Sequence, residues 1–165
     1  MKYYLAYGSN LNVRQMIHRC PGAKPVGTMV LEGYELLFKG SKTGSYLTIE
    51  KKRGGKVPVG IWQVTEQHEK ALDRYEGFPV FYYKKEIPIT EGRKAFVYIM
   101  HEDRPFGIPS SYYIDVCRIG YQDFGFDETY LFKALKKSKE AADGIHVDDE
   151  DKGVNEMFTP GGAKR

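Results

Sequence analysis

Two short segments carry the residue types that a reaction needs. The first is Tyr7-Gly8-Ser9-Asn10-Leu11, where the strand-like run KYYLAY meets a stretch with helical spacing. Glycine at such a turn lets the backbone approach a ligand closely. The unbonded N–H groups that open a helix form a site for an anion or an oxyanion. The same residues also read as a plain tight turn with a capped helix. The second segment is Asp73-Arg74-Tyr75-Glu76-Gly77-Phe78-Pro79. Glu76 falls at a helix end, just before glycine and proline. The negative end of the helix dipole disfavours a carboxylate there. Such a placement is expected to raise its pKa, and partial burial among the neighbouring aromatics would raise it further. Such a carboxylate suits general acid–base work. The plainer reading is a solvated terminal Glu beside Arg74.

Other chemistries find less support. Ser9 follows a glycine in a strand-to-helix turn, but the pattern is Y-G-S-N rather than G-x-S-x-G. A cap or a substrate hydrogen bond suits it better than nucleophilic attack. Cys20 closes a helix, where the dipole disfavours a thiolate. His18, His68, His101 and His146 show no metal-ligand spacing and read as surface or structural residues. No metal and no organic cofactor is expected.

The elements that must position these segments follow from periodicity and punctuation. Residues 2–7 read as a strand, and Leu11, Met16, Ile17 and Cys20 share one face of a short helix ended by Pro21-Gly22. Asn10 or Asn12 caps it, and Asn12 with Gln15 has capping-box spacing. Residues 26–64 read as four short strands, VGTMVL, YELLFKG, SYLTIEK and VPVGIWQV. Gly40 to Gly44 and Arg53-Gly54-Gly55-Lys56 supply turns between them. Thr65 caps a helix with Glu66 and Glu69 in its first turn, ended by Gly77 and Pro79. FYYKKEIPI and RKAFVYIMH form a hairpin around Glu91-Gly92. Two helices follow, YYIDVCRIGYQDF and one running through LFKALKKSK. Closely spaced strands followed by helices predict an α+β fold with a small mixed sheet or barrel.

The 165 residues and 18.9 kDa suffice for one domain. It is placed at residues 1–139. Residues 140–151 hold six acids and no Lys or Arg, so 140–165 is expected to be an acidic, poorly ordered tail. A net charge of +3 is too small to argue for nucleic acid. No apolar run reaches the ~18 residues of a membrane span, and the N-terminus lacks an apolar h-region. Cys20 and Cys117 read as reduced, buried thiols, and a cytoplasmic protein is expected. Aromatic content is 14%, with 13 Tyr. It suits a β-rich core or a pocket lined with hydroxyls.

Together the two segments resemble a known pattern. YGSNL near the N-terminus, with a helix-ending YEGFP some 65 residues on, is similar to the γ-glutamylcyclotransferase-like family (AIG2-like, γ-glutamylamine cyclotransferase-like). Pro109-Ser110-Ser111-Tyr112-Tyr113 resembles the family's Pro-Ser element before a C-terminal helix. The likeness spans roughly residues 3–135.

The resemblance implies a small mixed β-barrel flanked by helices. It implies an enzyme in which the α-amine of a γ-glutamyl group attacks its own γ-carbonyl, releasing 5-oxoproline and an amine or amino acid. Glu76 takes the place of the catalytic carboxylate. Tyr7, Gly8, Ser9, Asn10 and Leu11 take that of the turn that holds the γ-glutamyl unit, and Tyr83 and Tyr113 that of the cavity hydroxyls. Tyr82 is the adjacent alternative to Tyr83, because neighbouring strand residues face opposite sides, and Tyr112 poses a similar ambiguity beside Tyr113. The expected partner is a small γ-glutamyl molecule, with no nucleic acid and no membrane, acting on a monomer or weak homodimer. Two alternatives stand beside this: a non-catalytic small-ligand binding module on the same fold, and a γ-glutamyl deprotecting enzyme of a biosynthetic pathway.

Overall fold

The structure is a computed structural model that describes residues 1–41 and 44–144. Strand β1 (Lys2–Ala6) is central. It pairs antiparallel with β3 (Ser45–Val64) and parallel with β5 (Lys94–Met100). β2 (Lys24–Gly40) flanks β3 and β4 (Tyr82–Pro88) flanks β5, giving the order β2-β3-β1-β5-β4. β1 thus lies between the two hairpins and brings the Tyr7–Leu11 turn to the middle of one sheet end.

The α+β class stands, but the sheet is not closed, so a barrel describes it only loosely. It curls instead. The Met100 N–H donates to Thr48 Oγ1 at 2.9 Å, and the Tyr82 hydroxyl donates to the Leu47 carbonyl at 2.8 Å. The first half of β3 therefore arches across β5 and β4 without a ladder between them.

The four strands expected over residues 26–64 are two long ones. Gly40 ends one strand opposite Ser45, which begins the other, but Arg53-Gly54-Gly55-Lys56 lies inside β3. There the register jumps from Glu32 opposite Lys56 to Tyr34 opposite Lys51. Gly54 takes a φ of 77° at this bulge, a conformation that L side chains rarely adopt. Glycines chosen by the sequence for a reversal serve an irregularity in a continuing strand.

Three of the α-helices begin at a residue whose side chain caps them. A 3-10 turn spans Ser9–Leu11, and α1 covers Val13–Arg19 with Asn12 Oδ1 accepting from the Gln15 N–H at 3.1 Å. Leu11, Met16 and Cys20 are buried, whereas Ile17 is exposed. α2 (Glu66–Glu76) starts with a capping box between Thr65 and His68 and stops at Gly77, φ 65°. α3 (Ser111–Phe124) starts at Ser110, whose hydroxyl accepts from the Tyr113 N–H. α4 (Thr129–Ala142) lies on β2, where Ser138 Oγ accepts from the Phe38 N–H. α4 carries three residues past the expected domain end at 139. The rest of the expected acidic tail, 145–165, lies outside the described residues.

One contact fixes the turn against the rest of the fold. Gly120 of α3 lies so close to the chain that a Cβ there would be 2.6 Å from the Asn12 nitrogen and 2.7 Å from the Leu11 carbonyl carbon. Gly60 of β3 admits Leu11 and Phe124 in the same way. Among the described residues no helix is long and apolar enough to cross a membrane.

Candidate active site

A narrow cavity opens where the Tyr7–Leu11 turn meets the end of α2. From the turn it is lined by Tyr7, Gly8, Ser9 and Asn10, from α2 by Glu76, and from α3 by Tyr113. β1 adds Tyr4, β3 adds Leu47, β4 adds Tyr82 and β5 adds Tyr98. Five tyrosines therefore surround one carboxylate. Of the residues singled out in the sequence, Glu76, Tyr7, Gly8, Ser9, Asn10 and Tyr113 converge here from three separate stretches.

Leu11 and Tyr83 do not line the cavity. Leu11 is fully buried, with its side chain against Gly60 in the core. Tyr83 faces the other side of β4, where its hydroxyl donates to Glu102 Oε2 at 2.5 Å. Tyr82 takes the cavity position instead, as strand alternation allows. For the second ambiguity, Tyr113 is in the cavity and Tyr112 is exposed.

Glu76 is only 9% exposed, so the solvated reading of this residue does not hold. Its position follows from the residues around it. The Gly77 N–H donates to Arg74 O and the Phe78 N–H to Asp73 O, which stops α2 one residue after Glu76. The Tyr98 hydroxyl donates to Asp73 Oδ1 at 2.6 Å and ties this helix end to β5. On the other side the Tyr75 hydroxyl shares a 3.1 Å hydrogen bond with Ser9 Oγ. The carboxylate-bearing helix and the glycine turn are thus cross-linked by the side chain that precedes Glu76 in sequence.

The turn has its own supports. Its bonds run from the Leu11 N–H to Gly8 O and from the Asn12 N–H to Ser9 O. This leaves the Ser9 and Asn10 N–H groups outside its hydrogen-bond pattern, beside the cavity. The Trp62 indole N–H donates to Asn10 O at 3.0 Å. The Tyr7 hydroxyl donates to Tyr98 O at 2.7 Å. A Cβ on Gly8 would sit 3.2 Å from Leu47 Cδ1 and 3.4 Å from the Tyr113 hydroxyl, so any side chain there takes space from the cavity wall.

The hydroxyls are set to different tasks. Tyr113 accepts from the Leu47 N–H at 3.1 Å, and Tyr82 donates to the Leu47 carbonyl. Burial, then the hydrogen bond to Asp73, pushes the Tyr98 phenol far above its ordinary range. Burial, then the Glu76 charge, does the same to Tyr4. Both stay protonated at any physiological pH. Tyr4, Leu47 and Tyr98 were not singled out in the sequence, because only strand pairing brings them to the turn.

The remaining candidates lie elsewhere. His68 is a structural cap that also meets the Pro21 carbonyl at 2.6 Å, and His101 meets the Pro79 carbonyl. His146 lies outside the described residues. Cys20 and Cys117 are buried and unbridged, and burial pushes the Cys20 thiol up. Among the described residues no three His, Cys, Asp or Glu side chains converge to hold a metal ion.

Comparison with known proteins bears on this site. The family model described as Gamma-glutamyl cyclotransferase, AIG2-like, matches residues 4–115, a span that includes the turn, Glu76 and Tyr113. No curated protein matches the sequence. Among solved structures, an uncharacterised protein from Homo sapiens is 26% identical with a TM-score of 0.65, covering 94% of each chain. A structure described as gamma-glutamyl cyclotransferase is 24% identical with a TM-score of 0.66, again over 94% of each chain. YkqA from Bacillus subtilis is 22% identical with a TM-score of 0.63, covering 87% of this chain and 55% of its own.

Proposed function

The chain belongs to the AIG2-like gamma-glutamyl cyclotransferase family, and on that premise we propose that it cyclises a γ-glutamyl compound to 5-oxoproline with Glu76 as general acid and base. Nucleophile and electrophile share one molecule, so most of the entropic cost of bringing them together is absent. Three tasks are left for the protein. It must hold the γ-glutamyl chain curled, move a proton off the α-ammonium, and stabilise negative charge on the γ-carbonyl oxygen.

The buried Glu76 beside the glycine turn is the observation that carries this reading. In it, Glu76 takes a proton from the α-ammonium. The freed amine attacks the γ-carbonyl carbon, forming the ring C–N bond. The bond from that carbon to the leaving nitrogen breaks as Glu76 returns the proton to the leaving nitrogen, and the ring nitrogen gives up its second proton to the departing amine, which leaves as an ammonium. The Ser9 and Asn10 N–H groups serve either the substrate's α-carboxylate or the developing oxyanion. The narrow, tyrosine-lined cavity suits the small γ-glutamyl unit, with the leaving amine at its mouth. The chemistry needs no cofactor.

Mass spectrometry of a panel of γ-glutamyl dipeptides, γ-glutamyl-ε-lysine and γ-glutamyl polyamines, incubated with the protein, tests this. Release of 5-oxoproline supports the reading and the best substrate identifies the amine. Silence across the panel from folded protein contradicts it.

A further inference from the structure

A hydrogen-bonded chain leads into the cavity from a cation outside it. Arg19, half-buried at the end of α1, stacks its guanidinium 3.5 Å above the Tyr75 ring and donates to Asn10 Oδ1. A guanidinium can only donate, so the atom of Asn10 that faces it is the amide oxygen. The amide nitrogen therefore faces Tyr4, and Nδ2 donates to the Tyr4 hydroxyl at 2.9 Å. Nδ2 accepts nothing, so the Tyr4 proton is directed away from Asn10. Among the described residues no acceptor takes it, and Tyr4 lines the cavity that holds Glu76. Each link donates in the same sense, and aligned hydrogen bonds polarise one another.

We propose that the Tyr4 hydroxyl donates a hydrogen bond to a negatively charged oxygen of the substrate, and that Arg19 orients and polarises it through Asn10. This rests on the cyclotransferase reading of the same cavity. Tyr4 complements the backbone amides of the turn. A γ-glutamyl substrate presents two such oxygens, the α-carboxylate and the developing oxyanion, and the turn and Tyr4 both line the cavity. Tyr4 also packs against Phe96 and Tyr98, with ring centroids 5.3 and 5.8 Å away. Its ring therefore has little freedom to aim the hydroxyl elsewhere. Arg19 is a positioning residue, since nothing places it in the cavity.

Tyr4→Phe removes one oxygen and leaves the packing, so the variant is expected to fold. It should lower kcat/KM about 30- to 300-fold and weaken calorimetric binding of 5-oxoproline about 10- to 100-fold. The acid limb of its pH–rate profile should not move. Arg19→Gln should lose part of the same activity, and adding it to Tyr4→Phe should cost nothing more, because Arg19 acts through Tyr4. If Arg19→Gln does not fold, Arg19→Lys takes its place in the cycle. Turnover and product affinity equal to wild type in Tyr4→Phe would overturn the proposal. So would an acid limb moved to higher pH with an unchanged plateau, which makes Tyr4 a partner of Glu76 and not of substrate. Additive losses in the cycle would overturn the role of Arg19. The calorimetric arm needs no turnover. A wild type that binds 5-oxoproline but releases none from any substrate refutes the reaction while still testing Tyr4. One that does neither refutes both.

Discussion

Gly120→Ala sets two effects of opposite sign against each other. In the interior of α3, alanine is favoured over glycine by about 0.5–1 kcal/mol through propensity alone. At this position, however, the added Cβ would lie 2.6 Å from the Asn12 nitrogen, 2.7 Å from the Leu11 carbonyl carbon and 2.8 Å from Leu11 Cβ. Ordinary heavy-atom contact is about 3.5 Å or more, so something must retreat by close to 1 Å. Two of the three nearest atoms are backbone, which cannot swing aside as a side-chain tip can. Overpacking of this kind costs about 1–3 kcal/mol, occasionally more, and outweighs the propensity gain. The net loss should be about 1–2 kcal/mol, a drop of roughly 2–8 °C in Tm for a chain of this size. The part that moves is the Ser9–Leu11 turn or Tyr113, so kcat/KM should fall at least about tenfold. Thermal unfolding by circular dichroism and a turnover assay measure the two effects. Gly60→Ala is the contrast, since its new Cβ would meet the side chains of Phe124 and Leu11, which can shift. A Gly120→Ala protein as stable as wild type, or more so, would refute the close packing of α3 on the turn.

Tyr82→Phe should impair turnover while Tyr83→Phe should not, because only Tyr82 lines the cavity; equal kinetics in the two variants would count against this face assignment. Thr65→Ala removes the hydroxyl that accepts from the His68 N–H and should cost about 0.5–2 kcal/mol, read from chemical denaturation. Burial alone would push the Glu69 carboxyl up, but hydrogen bonds from Lys2 and Lys84 outweigh it and hold the group below its ordinary 4.5. Its stabilising contribution is therefore full above about pH 4.5 and fades as the pH falls through the lowered folded value. In Lys84→Met the decline in stability below pH 4.5 should be shallower than in wild type, and an identical acid profile would contradict the linkage.

Local signals were enough for much of the architecture. Asn12, Thr65 and Ser110 mark helix starts, and Gly77 marks a stop, through hydrogen bonds and backbone angles that involve only near neighbours. The glycine turn and the helix-ending Glu were legible for the same reason. Long-range pairing was not. Gly54 has the residue type of a turn, and only the ladder between β2 and β3 shows that the strand continues through it. Tyr82 lines the cavity and its neighbour Tyr83 does not, because in a strand one residue exchanges the faces. Tyr4, Leu47 and Tyr98 reach the cavity from β1, β3 and β5, whose adjacency no local pattern encodes. Arg19 ends a short helix, and its contact with Asn10 depends on how the 3-10 turn folds back on α1.

The most direct test compares wild type with Glu76→Gln, both shown to be folded, for release of 5-oxoproline from the best γ-glutamyl substrate of the panel. The substitution exchanges a base for an amide of nearly the same shape. Wild type should release 5-oxoproline and the amine in equal amounts, and Glu76→Gln should be silent while still binding 5-oxoproline. Turnover by Glu76→Gln near the wild-type rate would contradict Glu76 as the base and with it the proposed mechanism.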